Sequence, residues 1–390
     1  MSNPCTEECT FQGEPALRLT AGALEATFVP GAGMTGVSLR YRGHEFLAVP
    51  GGIKALRAGH TGGLPLLAPW ANRLSQLHYR VASTEVHLDP SGLKTDDNGL
   101  PIHGLLVGRP GWVIERCATR RTSAVLDASR DIDAPAFPFP HRIEVRITAR
   151  DGELHVTTTV TPTGRRRVPI AFGWHPYLRV PGAPRSSWVL SLPTREHLLL
   201  DDRGIPNGAT EHCTAEALPV GRRHFDDLYA LGRTRRLSFG TGAPDTEGPG
   251  APGGGCTEVE LRCGPGYDFA QVWVPPRRQF AALEPMAAPT NALVEGSAPL
   301  VSPGDQYRAE FSLVLSAPWA AAGPRTTTAP GGGVPGGAPG RSGHRPRVVP
   351  LAETPNQVIG SGRTPAALWV GVHRRWRVQQ RLHDPPGLLE

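Results

Sequence analysis

Two short segments of the sequence contain side chains that could exchange protons with a small molecule. Phe-Gly-Trp-His-Pro-Tyr places His175 between aromatic residues and a proline, and Leu-Glu-Pro-Met contains Glu284. Imidazole, with a pKa of about 6.5, can donate a proton at neutral pH, whereas a glutamate with a pKa of about 4.3 is ionised and can accept one. If the fold brings both side chains to one pocket, they form an acid/base pair. Taken singly, the first segment is more typical of a histidine buried in the core, and the second is more typical of a glutamate on an exposed turn.

Further polar side chains occur in segments that combine with these two in a characteristic order. The segments are Gly63–Leu74, with Asn72 and Arg73; Ile102–Leu106, with His103; Phe225–Tyr229, with Asp226 and Asp227; and Glu284–Ala292. In this order and spacing the set resembles the aldose 1-epimerase (galactose mutarotase) family. The resemblance extends from roughly Leu17 to Ser316, so it covers the chain except for a short N-terminal lead and a long C-terminal tail.

The resemblance implies a role for each matching residue. His175 would be the general acid and Glu284 the general base. The residues implied to surround the sugar hydroxyls are Asn72, Arg73, His103 and Asp226. Asp226 fits the family pattern because it lies three residues before an aromatic residue, Tyr229, while Asp227 remains an alternative.

The sequence also departs from the family pattern. Many relatives carry an arginine soon after the His-Gly pair, whereas Val107 and Gly108 stand near that place here, with Arg109 following. The ligand contacts of this loop are therefore not carried over from the family.

The implied activity is mutarotation of free hexoses such as glucose or galactose. A carboxylate removes the proton of the anomeric hydroxyl while an imidazolium protonates the ring oxygen, the ring opens, and closure on the other face gives the other anomer. The guanidinium fork of Arg73 and the carboxylate of Asp226 suit the binding of vicinal hydroxyls. The alternatives are a hexose-6-phosphate 1-epimerase and, in another class, a sugar-binding or regulatory protein without catalysis. The phosphate alternative would need cationic partners, for which the candidates are Arg109, Arg179, Arg277 and Arg278.

The elements that would position these residues are predicted to be β-strands. Short alternating or apolar runs are separated by clusters of Gly, Pro, Asn and Asp, as expected of an antiparallel sandwich. The runs are Leu17–Phe28, His78–Leu88, His141–Thr148, Leu154–Val160, Trp188–Leu192, Thr257–Arg262, Phe269–Val274 and Tyr307–Leu315. No long helical pattern appears, and residues 241–255 are predicted to be a Gly/Pro loop. The resemblance sharpens this all-β prediction to a galactose-mutarotase-like β-supersandwich.

The extent of the resemblance implies a lead over residues 1–16 and a sandwich domain over residues 17–318. Composition predicts that the Gly/Pro/Arg-rich tail over residues 319–390 is disordered. The tail has nine arginines and three acidic residues. Its net charge of +6 therefore equals the formal net charge of the whole chain. The remainder is neutral, so no nucleic-acid partner is predicted for it, and an uncharged aldose suits it as substrate.

The sequence lacks the patterns typical of a metal site, a nucleotide cofactor, a signal peptide or a membrane-spanning segment. The six cysteines form no Cys-x-x-Cys pair and have no matching histidine spacing, so no metal site is predicted. No phosphate-binding glycine loop indicates a nucleotide cofactor. The N-terminus lacks a signal-peptide pattern and no apolar run approaches ~18 residues, so we expect a cytoplasmic protein without a membrane partner. The sequence leaves the oligomeric state open.

Overall fold

The computed structural model describes residues 2–241 and 256–319. The tail predicted to be disordered, from residue 320 onward, and nearly all of the predicted loop over residues 241–255 lie outside the described residues. Residues 2–16, predicted as a lead before the domain, contain a strand that pairs with the next one. This part of the chain therefore belongs to the first sheet.

The described residues form 26 strands and two short α-helices. In the first half these are β1 (Ser2–Phe11), β2 (Glu14–Gly22), β3 (Leu24–Val29), β4 (Thr35–Tyr41), β5 (His44–Glu45), α1 (Gly52–Arg57), β6 (Leu66–Leu67), β7 (His78–Val81), β8 (Thr84–His87), β9 (Val113–Arg120), β10 (Ser123–Ala134), β11 (Phe137–Arg150), β12 (Glu153–Pro162), β13 (Val168–Pro169), β14 (Gly173–Trp174) and β15 (Tyr177–Leu178). In the second half they are β16 (Trp188–Leu192), β17 (Arg195–Leu200), β18 (Pro206–Cys213), β19 (Glu216–Pro219), β20 (Phe225–Leu231), β21 (Arg236–Thr241), β22 (Glu258–Cys263), β23 (Phe269–Val274), β24 (Ala281–Met286), α2 (Ala292–Glu295), β25 (Leu300–Val301) and β26 (Tyr307–Ser316).

Two large antiparallel sheets dominate the fold. The nine-stranded sheet has the order β19-β16-β21-β22-β26-β12-β11-β10-β9, and the eight-stranded sheet has the order β18-β17-β20-β23-β24-β14-β6, with β15 also paired to β24. A five-stranded sheet, β1 to β5 in chain order, and two two-stranded sheets complete the described set. The all-β prediction is confirmed. No helix among residues 2–241 and 256–319 is long and apolar enough to cross a membrane.

The strands form because apolar and polar side chains alternate along them. In β11, Ile143, Val145 and Ile147 are buried while the charged residues between them are exposed. The core joins the two large sheets: Trp174 of β14 contacts Phe311 of β26 at 5.9 Å between ring centroids. The two sheets therefore pack face to face around a shared core.

Several predicted strands have different bounds in the structure. Trp188–Leu192 and Phe269–Val274 coincide with β16 and β23. The run Leu17–Phe28 is split between β2 and β3 after Gly22, which adopts a left-handed φ of 63°. The run His78–Leu88 likewise contains β7 and β8, because the chain turns between them at Ala82 and Ser83. Each of these two runs, predicted from its strand-forming composition as one strand, is therefore a hairpin in the structure.

The middle of the eight-stranded sheet joins segments that are far apart in the sequence. Gly173 of β14 pairs with Leu67 of β6 on one side and with Met286 of β24 on the other. A Cβ atom at Gly173 would lie 2.8 Å from the carbonyl oxygen of Pro285 and 3.0 Å from Cβ of Ala71. Only glycine allows this close approach, which brings the two segments proposed for proton exchange side by side.

Candidate functional site

His175 follows β14 directly and is held on several sides. Its backbone N–H donates to the carbonyl oxygen of Pro65 at 3.1 Å. Its ring stacks on Tyr177, with centroids 4.6 Å apart, and meets the ring of Trp273 edge to face at 5.6 Å. The residue is only 5% exposed. Aromatic contacts therefore fix the imidazole in one orientation.

Glu284 lies in the middle of β24, opposite Gln271 of β23, and is 2% exposed. Its Oε1 atom lies 3.3 Å from Nε2 of His175. The structure thus brings the two side chains into direct contact, although more than one hundred residues separate them in the sequence.

Burial changes the acidity of both members of this pair. Desolvation lowers the pKa of His175 to about 3, and the positive charge of Lys94 acts in the same direction. Desolvation also raises the pKa of Glu284 well above its ordinary value of 4.5, with the charge of Asp226 adding to the rise. Both shifts favour uncharged side chains. The ordinary pKa values assumed from the sequence do not apply, because neither group is exposed to water.

The contact between the two groups nevertheless preserves a simple proton count. A neutral imidazole beside a carboxylic acid and an imidazolium beside a carboxylate both contain one exchangeable proton. The two arrangements differ only in the position of that proton across the 3.3 Å between Nε2 and Oε1. The His175–Glu284 pair is therefore a one-proton unit with two forms.

Arg73 is aimed by a neighbouring turn. Its Nε donates to Oδ2 of Asp96 at 2.7 Å, and its Nη1 donates to the side chain of Asn72 at 3.1 Å. The other carboxylate oxygen of Asp96 accepts from the backbone N–H groups of Asn98 and Leu100, both at 2.9 Å. Because the turn fixes Asp96, the guanidinium is held in place, with Nη2 3.8 Å from Oδ2 of Asp226.

The structure places the two neighbouring aspartates, Asp226 and Asp227, in different surroundings. The sequence had left open which of them belongs to the site. Asp226 accepts a hydrogen bond from Nε2 of Gln271 at 2.7 Å and lies beside Arg73. Asp227 accepts from the hydroxyl of Tyr229 at 3.2 Å and lies 3.4 Å from Nε2 of His197. Successive strand residues point to opposite faces of a sheet. Asp226 therefore lies at the candidate site, and Asp227 lies on the other face of β20.

Asn72 and His103 occupy strained positions next to the pair. Their φ angles are 54° and 65°, in the left-handed region, and the N–H of His103 donates to the carbonyl oxygen of Asn72 at 3.0 Å. The ring of His103 lies 5.4 Å from that of His175, edge to face. Burial, followed by the charge of His175, holds the pKa of His103 well below its usual range. All six residues predicted from the sequence are therefore connected through contacts in one region.

Several polar atoms of this region have no hydrogen-bond partner within the described part of the chain. They are Nδ1 of His103, Nδ1 of His175, Oε1 of Gln271 and Oε2 of Glu284, and all are buried. A buried polar atom without a partner costs free energy, about 1–3 kcal/mol. Four such atoms in one region mark it as a candidate binding site for a polar ligand.

Sequence reasoning missed four residues that shape this region: Asp96, Tyr177, Gln271 and Trp273. Gln271 had a usable signal, because it is a lone amide inside the apolar strand β23. Tyr177 also had one, since it lies two residues after His175. Asp96 belongs to an Asp-Asp-Asn-Gly sequence that is typical of a turn, and nothing in its spacing links it to Arg73.

The chain is similar to known proteins in sequence and in fold. The sequence matches the model of the aldose 1-epimerase family over residues 38–238. A galactose mutarotase-like protein from Clostridium acetobutylicum superposes with a TM-score of 0.70 at 17% identity, covering 81% of this chain and 99% of that one. A galactose 1-epimerase from Lactobacillus acidophilus NCFM gives 0.60 at 12% identity, covering 78% and 94%. No curated protein matches the sequence. The predicted galactose-mutarotase-like fold is confirmed.

Proposed function

The chain belongs to the aldose 1-epimerase family, and on this premise we propose that it interconverts the α and β anomers of a free hexose such as glucose or galactose. The observation that carries the proposal is the buried contact of 3.3 Å between Nε2 of His175 and Oε1 of Glu284. A protein that only binds sugar needs hydroxyl partners, but it does not need a buried acid next to a buried base.

In the proposed reaction Glu284 removes the proton from the anomeric hydroxyl, and His175 delivers a proton to the ring oxygen. The bond between C1 and the ring oxygen breaks, and C1 becomes the carbonyl carbon of an open-chain aldehyde. Rotation about the C1–C2 bond and closure on the other face, with both proton transfers reversed, give the other anomer. The pair ends with the same single proton that it had at the start.

The pKa directions support these roles. In the form of the pair that reacts, the shared proton starts on His175. After ring opening a proton is on Glu284 instead, which is the uncharged arrangement that burial favours. Because burial lowers the pKa of His175 to about 3, its imidazolium is a strong acid. Because burial raises the pKa of Glu284, its carboxylate is a strong base. Burial therefore favours the direction of proton movement that opens the ring.

The surrounding side chains are proposed to hold the sugar against the two groups, which remain in contact with each other. The guanidinium of Arg73 and the carboxylate of Asp226 would bind hydroxyls, since Asp226 is the more accessible residue with 43% of its side chain exposed. Nδ1 of His103 and Oε1 of Gln271 have unfilled hydrogen-bonding capacity. Asn72 contributes by its contact with Arg73. A sugar fixed in this way allows both transfers to occur in one geometry.

Neither alternative class gains specific support from the contacts. The arginines considered for a phosphate, at positions 109, 179, 277 and 278, are all exposed. The arginine at the candidate site, Arg73, already has its Nε bound to Asp96. We therefore propose a free hexose as substrate and keep sugar phosphates as an outcome of the test.

Polarimetry of freshly dissolved α-D-glucose and α-D-galactose tests the proposal. We expect the protein to accelerate the approach to the anomeric equilibrium, and we expect His175→Asn to lose roughly 10²- to 10⁴-fold in rate. His155→Asn is the matched control, because His155 is a half-buried histidine of the nine-stranded sheet. That variant should keep the wild-type rate.

Three results would count against parts of the proposal. Acceleration with hexose 6-phosphates but not with free hexoses would identify the phosphate epimerase. Sugar binding without acceleration of either class would identify a binding protein. An unchanged rate in His175→Asn would remove His175 from the mechanism.

A further inference from the structure

A second group of chemically active side chains lies on the face of the eight-stranded sheet opposite to Asp226. His197 of β17 and Glu211 and Cys213 of β18 each offer one donor atom, and these atoms all lie within 4.8 Å of one another. We call these three residues the edge cluster. It shares no residue with the candidate site.

Strand register explains why the three side chains meet. His197 pairs directly with Glu211, and Cys213 follows Glu211 by two residues on the same strand. Directly opposed side chains and side chains two residues apart project from the same face of a sheet. The intervening His212 projects the other way, where its Nδ1 lies 2.6 Å from Oε1 of Glu196. The pairing of β17 with β18 therefore brings the imidazole, the carboxylate and the thiol together on one face of the sheet.

From this arrangement we propose that the edge cluster binds a divalent metal ion of the zinc class. Thiolate, imidazole and carboxylate are together the ligands that zinc takes in proteins. With bond lengths of about 2.0–2.3 Å, the donor atoms of a tetrahedral zinc lie roughly 3.3–3.8 Å apart. A spread of 4.8 Å is closed by small side-chain rotations. Three protein ligands leave the fourth position to water.

A positioning group for the histidine is already in place. Oδ1 of Asp227 lies 3.4 Å from Nε2 of His197, and Oδ2 of Asp227 accepts a hydrogen bond from the hydroxyl of Tyr229 at 3.2 Å. Metal-binding histidines commonly donate their second ring N–H to a carboxylate, which fixes the tautomer and the ring. Asp227 therefore has the place of an orienting residue, and Nδ1 of His197 takes the metal.

The local charge also permits a cation. A thiolate at Cys213 and the carboxylate of Glu211 offset the two charges of the ion, and the carboxylate of Asp227 adds a third negative charge nearby. Arg195 is a buried cation next to the cluster. Its Nη2 lies 2.5 Å from Oε1 of Glu216, and its guanidinium carbon lies 4.6 Å from the ring centre of Tyr229. Its charge is therefore largely neutralised before an ion arrives.

This inference revises the prediction of no metal site. That prediction relied on spacing along single segments, where a Cys-x-x-Cys pair was sought and not found. In the edge cluster two ligands come from β18 and the third comes from the strand that pairs with it. Sequence spacing cannot reveal such a site unless the register of the two strands is known.

The test is titration of the metal-free full-length protein with Co(II), followed by its displacement with Zn(II). We expect one Co(II) per chain, with a thiolate-to-cobalt charge-transfer band in the absorption spectrum. Cys213→Ser should abolish the band, and His197→Ala and Glu211→Gln should each weaken binding at least tenfold. Asp227→Asn should weaken it by about 10- to 100-fold without removing the band.

Two variants control for other thiols and histidines. His212→Ala changes the same strand on the other face, and Cys117→Ser removes an exposed thiol of β9. Both should bind like wild type. A wild type without the thiolate band, or a band that persists in Cys213→Ser, would overturn the inference. If His197→Ala fails to fold by circular dichroism, Cys213→Ser and the exposed Glu211→Gln still decide the question.

Discussion

Asp226 and Asp227 are adjacent in β20, yet they belong to two different chemical environments. Asp226 accepts from Gln271 and lies beside Arg73, in the region of the buried His175–Glu284 pair. Asp227 lies beside His197 and the edge cluster on the other face of the sheet. The side-chain alternation of a β-strand separates the two carboxylates, so one sheet presents two polar sites with different surroundings.

The difference between the two sites is mainly one of burial. The His175–Glu284 pair lies on central strands and is almost completely buried, which drives both pKa values toward the uncharged forms. The edge cluster lies on the last two strands of the sheet, where Glu211 is exposed and Cys213 is half-buried. A buried site suits transfer of a proton within a closed unit, whereas an accessible site suits exchange of an ion with solvent.

The largest expected effect concerns the base of the central site. Glu284→Gln keeps the size of the side chain but removes the proton acceptor, so we expect the mutarotation rate to fall by roughly 10²- to 10⁴-fold. Hexose binding, measured by calorimetry, should remain. Time courses of optical rotation at several protein concentrations separate the residual catalysed rate from spontaneous mutarotation. A catalysed rate within twofold of wild type would refute the role of Glu284.

A smaller effect should distinguish the two aspartates. Asp226→Asn removes a charged acceptor for sugar hydroxyls, worth about 1.5–3 kcal/mol, and should lower kcat/KM by about 10- to 100-fold. Asp227→Asn should leave kcat/KM unchanged and weaken Co(II) binding instead. Steady-state polarimetry and the cobalt titration on both variants check this. Equal losses of kcat/KM would show that the two faces of β20 are not independent.

The smallest expected effect is a pH dependence of stability. Burial lowers the pKa of His175 from 6.5 to about 3, so its protonation opposes folding. His175 therefore lowers the free energy of unfolding as the pH falls below 6.5. Burial raises the pKa of Glu284 from 4.5, so its ionisation opposes folding. Glu284 therefore lowers the free energy of unfolding as the pH rises above 4.5. Between these values the two slopes cancel in the wild type. Glu284→Gln removes one slope, so this variant should lose about 1.4 kcal/mol per pH unit from pH 6.5 down to 4.5.

Urea unfolding at pH 4.5, 5.5 and 6.5 measures this slope. Glu85→Gln is the control, because Glu85 is an exposed residue of β8. Its pH dependence should match that of the wild type. If the curve of Glu284→Gln also runs parallel to that of the wild type, burial does not lower the pKa of His175 in the folded protein.

The sequence predicted the strands better than their partners. Phe269–Val274 was recognised as a strand, but its apolar composition did not reveal that Gln271 lies opposite Glu284 and donates to Asp226. The family resemblance supplied His175 and Glu284, whereas the effect of burial on their pKa values required the packing of Tyr177 and Trp273 around them. The edge cluster was missed because the spacing of residues within β17 or β18 does not show the register that places His197 opposite Glu211.

The close approach at Gly173 also affects how the molecule is assembled. Strands β6, β14 and β24 lie side by side in the sheet, but more than one hundred residues of chain separate each from the next. The entropy of closing such long loops must be overcome before these pairings contribute, so they form late and slowly. The His175–Glu284 contact depends on the last of them. During synthesis the chain can therefore perform no proton exchange until β24 has emerged and docked, and the return of mutarotation after denaturation would time the closure of this sheet.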